Sequence, residues 1–118
     1  MTVRPSGIVF DADDVPALAE FWRQATEYEV KTSGELFAHL VPQGIDLKHI
    51  FVFKVPEGKT AKNRCHIDFE TDDREAEVER LVSAGAMKVA DHMREGFNWT
   101  VLQDPEGNEF CVSSQTGK

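Results

Sequence analysis

Apolar and polar residues alternate along this chain in short blocks, and the period of each block says what it builds. Gly7 to Phe10 reads as an apolar strand running into Asp11, Asp13 and Asp14, which are N-cap candidates for a helix with Pro16 in its first turn. Leu18, Phe21, Trp22 and Ala25 follow at i, i+3, i+4 and i+7, the spacing of one helix face. Tyr28 to Lys31 predicts a strand, Ser33-Gly34 a turn, Leu36 to Val41 a strand, and His49 to Val55 a further strand that Pro56-Glu57-Gly58 ends. In the second half, Cys65 to Glu70 predicts a strand with Cys65, Ile67 and Phe69 on the core face and His66, Asp68 and Glu70 on the other. Asp72 and Asp73 then introduce a helix through Ala84 whose apolar stripe is Val78, Leu81 and Val82, with Gly85 placed to end it in a left-handed conformation. Met87 to Ala90, Asn98 to Gln103 and Glu109 to Ser113 complete the strands, the last two joined by the turn Asp104-Pro105-Glu106-Gly107-Asn108. The predicted order is β-α-β-β-β, twice.

That doubling is visible in the residues themselves. Sliding the sequence on itself by 59 positions matches Asp13-Asp14 to Asp72-Asp73, Ile8 to Ile67, Phe10 to Phe69, Ala17 to Ala76, Glu20 to Glu79, Ala25 to Ala84 and Val30 to Val89. These are 8 identities over the 24 positions from residue 7 to residue 30, and both strands and both helices come into register without a gap. The same offset pairs Gly7 with His66 and Val52 with Cys111.

Composition narrows the partners. The 118 residues predict one domain, 1–118, with a first module at about 1–57, a linker from Gly58 to Arg64 and a second module at about 65–114. With 21 acidic against 13 basic side chains the formal charge is −8, which argues against nucleic acid or an anionic membrane as a general partner. No apolar run reaches membrane-spanning length, and the N-terminus lacks the apolar core of a signal peptide, so a soluble cytoplasmic protein is expected. Cys65 and Cys111 have no CxxC spacing and are expected as free thiols on opposite strand faces, with Cys111 the more reactive.

The pattern resembles the vicinal oxygen chelate superfamily, the glyoxalase and bleomycin-resistance fold. GIVFDADDVPALAEFW, KNRCHIDFETDD and DPEGNEFCV carry the resemblance, and with the repeat they cover nearly the whole chain. It implies an α+β fold in which two βαβββ modules form a curved mixed-sheet cup with helices outside, and in the enzymes a divalent metal held there by first- and fourth-strand residues. Those positions fall here at Gly7, Val52, His66 and Cys111. Glycine and valine offer no donor, and Cys111 stands where the glutamate of the usual ending would be.

The resemblance therefore implies a glyoxalase-like protein binding a small organic molecule in the inter-module cup, without a tightly bound metal. The alternative is an enzyme of the lyase, isomerase or dioxygenase type, acting on a carbonyl or epoxide substrate with His66 as acid/base or metal ligand. Candidate ligand contacts are His66, Asp68, Glu109, Cys111, Val52, Trp99 and Arg64, with the outward members of the His49 to Phe53 run as ligand wall; His66 and Cys111 are the candidate catalytic groups. No cofactor is expected; a divalent metal, if present, would use His66, Glu109 and Cys111. Unpaired edge strands lead us to expect a homodimer.

Overall fold

The computed structural model describes residues 5–44, 47–94 and 96–115. The chain divides into two compact units, Met1–Gly58 and Lys59–Lys118, and each is a βαβββ module. The first contains β1 (Gly7–Ala12), α1 (Val15–Thr26), β2 (Glu29–Ser33), β3 (Phe37–Val41) and β4 (His49–Lys54). The second contains β5 (Ile67–Glu70), α2 (Arg74–Ala84), β6 (Met87–Arg94), β7 (Phe97–Gln103) and β8 (Glu109–Gln115). Each module is one open four-stranded mixed sheet, ordered β1-β4-β3-β2 in the first and β5-β8-β7-β6 in the second, with the outer parallel pair β1/β4 or β5/β8 and the other pairs antiparallel. The expected α+β architecture and element order are borne out.

Both helices begin in the same way. The Asp14 carboxylate accepts the Ala17 N–H at 3.1 Å, and the Asp73 carboxylate accepts the Ala76 N–H at 3.1 Å, so each repeated aspartate satisfies a donor that the first turn leaves open. They end differently. Gly85 has φ 127°, as a left-handed terminator should, whereas α1 closes on Glu27 at φ 61°, with its N–H bonded to the Arg23 carbonyl at 2.8 Å.

In the first unit, Leu18, Phe21 and Trp22 are buried against the helix-facing side of the sheet, where Ala38, Leu40, Ile50 and Val52 lie. Trp22 also stacks on Phe10 at 5.0 Å and 12°. The second core is thinner. Val78 and Leu81 are buried with Leu102, Phe110 and Val112, while Val82, expected on the same stripe, is 44% exposed. A polar link helps: the buried Thr100 hydroxyl accepts from Arg74 and donates to Asp91, both at 2.6 Å.

The gapless offset holds through the first strand and helix and then slips. Ile8 pairs with Ile50 and Ile67 pairs with Phe110, so Ile50 corresponds to Phe110 and Phe51, not Val52, corresponds to Cys111. The intervening hairpins differ: β6 has 8 residues against 5 in β2, and residues 42–48 connect the last two strands of the first unit where 104–108 suffice in the second. A one-residue slip in a strand reverses every side chain. Val52, expected in the ligand site, is accordingly a fully buried core residue on the helix side.

Candidate functional site

The pleat gives each sheet a second face, away from its helix, and the two faces differ in kind. In the second unit β5 and β8 run parallel, with Asp68 opposite Cys111. Asp68, His66 just before β5, and Cys111 bring one ligand atom each to within 4.8 Å of one another. His66 Nδ1 stands 3.9 Å from Asp68 Oδ1, and both side chains are exposed. Cys111 is 8% exposed, and its thiol donates toward the Asp68 carboxylate. Burial first, and then the negative charge and hydrogen bond of Asp68, push the thiol pKa up, against a weaker opposing pull from Lys62. Cys111 is thus held as a thiol, and at neutral pH it is a poor nucleophile.

Three expectations need correction here. Glu109 does not join this group, because its carboxylate is occupied elsewhere. It accepts the Asn63 N–H at 3.0 Å and pairs with Lys59 at 3.4 Å, which fastens the linker to the start of β8. The Asn63 N–H is the main reason that the Glu109 pKa lies below the usual range. Asp68 takes the third place that the sequence reading gave to Glu109. Cys65 does not face a core: the strand starts only at Ile67, and Cys65 is exposed in the bend before it. The expected order of thiol reactivity is therefore reversed. Both thiols are free, as expected. Arg64 is exposed in the same bend, and Trp99 lies on the Cys111 side of the sheet, half-buried and stacked on His92 at 5.1 Å and 21°.

The corresponding face of the first unit carries rings. Phe37 and His39 on β3, and His49, Phe51 and Phe53 on β4, all point away from the helix. His39 lies against Phe51 at 4.4 Å and 21°, and Phe37 reaches both Phe51 at 6.2 Å and Phe53 at 4.9 Å. A Cβ on Gly7 would stand 2.8 Å from Phe51 Cε2, so the phenyl ring occupies the space that a first-strand side chain would need. His39 was missed by the sequence reading. Its signal was the alternation Phe37-Ala38-His39-Leu40, which puts His39 on the same side as Phe37.

The family profile of the glyoxalase-like domain matches residues 7–113. The chain belongs to that family. That match bears out the resemblance that the motifs carried, and solved structures agree on the fold. The fosfomycin resistance protein FosX from Listeria monocytogenes superposes with a TM-score of 0.78 at 16% identity, covering 99% of this chain and 97% of its own. A glyoxalase/bleomycin resistance protein/dioxygenase family enzyme from Burkholderia phytofirmans PsJN gives 0.74 at 20% identity, covering 93% and 97%. Lactoylglutathione lyase from Agrobacterium tumefaciens gives 0.68 at 17% identity, covering 97% and 95%. No curated protein matches the chain. No helix among the described residues is long and apolar enough to cross a membrane.

In the first unit of this glyoxalase-like domain, the ligand positions that the resemblance implies do not fit a metal. Gly7 has no donor, and Phe51 at the fourth-strand position of the first unit is a hydrocarbon. His66, Asp68 and Cys111 by themselves do fit one. Nitrogen, oxygen and sulfur donors at this spacing suit a borderline-soft divalent ion such as zinc, which would have to displace the Cys111 proton.

Proposed function

We propose that this glyoxalase-like domain binds a small, planar, partly apolar organic molecule on the ring-lined face of its first unit, with no metal required for binding. The observation that carries the reading is the Gly7–Phe51 pair: where the resemblance implies a metal donor, this chain has no side chain, and a phenyl ring fills the space. Aromatic side chains provide a large apolar contact at little conformational cost. Calorimetric titration of metal-stripped protein with 2-naphthol tests this. Saturable binding is expected, unchanged by added zinc and weakened about tenfold by Phe51→Ala. Binding that appears only with zinc, or that ignores Phe51→Ala and is lost in His66→Ala, would overturn it.

The His66, Asp68 and Cys111 group favours a second reading, an enzyme working on the other unit's face. A divalent ion held by these three would act as a Lewis acid toward a substrate oxygen. Asp68 lies 3.9 Å from His66 and accepts from the Cys111 thiol, so a proton can be held at Cys111 Sγ. Catalysis of carbonyl or epoxide turnover that depends on added metal, and is lost in Asp68→Asn, is the result that would promote this reading over the first.

A further inference from the structure

His39 Nε2 and His49 Nδ1 lie 2.8 Å apart, on adjacent strands of the first unit. The ring centroids are 5.1 Å apart and the planes are tilted by only 30°. That separation is about the nitrogen gap plus two ring radii, so the imidazoles meet edge to edge and share one N–H···N bond. Their lone pairs face each other rather than a common third point, which rules out chelation of one metal through these two atoms. A proton between them is the chemistry that the geometry allows.

A neutral pair has two arrangements. If His39 Nε2 donates, the outer nitrogens are a bare His39 Nδ1 and a protonated His49 Nε2; if His49 Nδ1 donates, they are a protonated His39 Nδ1 and a bare His49 Nε2. Either way one outer nitrogen is a base and the other an acid. A proton added at the base converts the pair to a single shared cation, and a second proton would break the bond and set two positive charges side by side. Both rings are half-buried, and the flat side of His39 rests on Phe51. His39 is held more acidic than usual by burial, then by the charge of His49 and that of Lys31. Lys31 on β2 is the further charged group bearing on His39, and it too opposes a second proton.

We infer that His39 and His49 form a one-proton acid/base dyad that takes the proton of an electron-poor phenol, acidic enough to pass it to an imidazole, whose ring lies along Phe37, Phe51 and Phe53. The O–H bond breaks, its proton goes to the bare outer nitrogen, and the phenolate remains paired with the shared imidazolium. The inference rests on the binding reading for this face and adds the class of ligand: an electron-poor phenol.

Two measurements on the full chain test it. Without ligand, side-chain nitrogen NMR of histidine-labelled protein should show scalar coupling across the N–H···N bond between His39 and His49, lost in His39→Gln. No such coupling in the wild-type chain would overturn the dyad. With 4-nitrophenol as probe, whose visible band reports its ionisation, bound probe should be several-fold more ionised than free probe at the same mildly acidic pH. His39→Phe and His49→Phe keep a ring at each position, and whatever probe either variant binds should be no more ionised than free probe. Bound probe as protonated as free probe, in a chain that still binds 2-naphthol, would overturn this inference and leave the binding reading standing. Failure to bind either compound would overturn both.

Discussion

The two modules share a topology and part with one another on the sheet face away from the helix. On the helix side their patterns agree: Ile8 and Phe10 correspond to Ile67 and Phe69, and Asp14 and Asp73 cap their helices through the same bond. On the opposite side one module presents rings and a histidine pair, the other an imidazole, a carboxylate and a protonated thiol. The difference follows from the pleat. Alternate residues of a strand answer to different demands, so a duplicated module can keep its packing residues while the intervening ones diverge toward separate chemistry.

The largest test of this contrast lies in the cores. Trp22 is fully buried and stacks on Phe10, so Trp22→Ala should cost about 3–5 kcal/mol in denaturant unfolding. Val78→Ala in the thinner second core should cost about 1–2 kcal/mol. Equal losses would mean that the two helices contribute alike, against the burial that separates them. The turn before β8 comes next. Asp104 is 4% exposed and accepts the backbone N–H groups of Glu106 and Asn108, each at 2.9 Å, along with the Asn108 amide. Asp104→Ala should cost about 2–3 kcal/mol, because it leaves those donors unmatched.

A smaller effect concerns the shared devices. Asp14→Ala and Asp73→Ala should each cost about 1 kcal/mol, and unequal losses would show that the caps match in geometry but not in weight. The linker clamp should be worth about 1 kcal/mol and depend on pH. Glu109 has its folded pKa lowered, chiefly by the Asn63 N–H, so its contribution is complete above the ordinary glutamate range and is lost as pH falls through the folded value. The stability gap between wild type and Glu109→Gln should therefore close in acid. Thiol labelling gives the smallest signal in energy: Cys65 should react before Cys111, and Asp68→Asn should speed Cys111 by removing the negative charge that helps hold its proton.

Most of the fold was legible in the sequence because periodicity and caps are local. The apolar face of Leu18, Phe21 and Trp22, the paired aspartates, and Gly85 at the helix end each announce themselves within a few residues. What the sequence concealed was register. Hairpin lengths accumulate along each module, and a shift of one residue exchanged Val52 for Phe51 at the position that matters. For the site, His66 and Asp68 could be read from strand alternation and Cys111 from the repeat and the resemblance, and the structure brings the three together. Glu109 could not be read in the same way, since its fate depends on Asn63 and Lys59 in a linker whose composition reads as solvated. Alternation gives the face of His39 and of His49, but the two are ten residues apart and meet only through the β3/β4 pairing, so no local signal announces them as a pair.

The most direct test of the central claim, that ring-lined and donor-lined faces divide the work between two modules, is one NMR experiment on metal-stripped protein, titrated first with 2-naphthol and then with zinc. 2-Naphthol is expected to move the signals of Gly7, His39, His49 and Phe51 before any metal is added, and zinc then to move those of His66, Asp68 and Cys111 without releasing the bound aromatic. Silence at Gly7 and Phe51 until zinc is present, followed by joint movement of both sets, would contradict it.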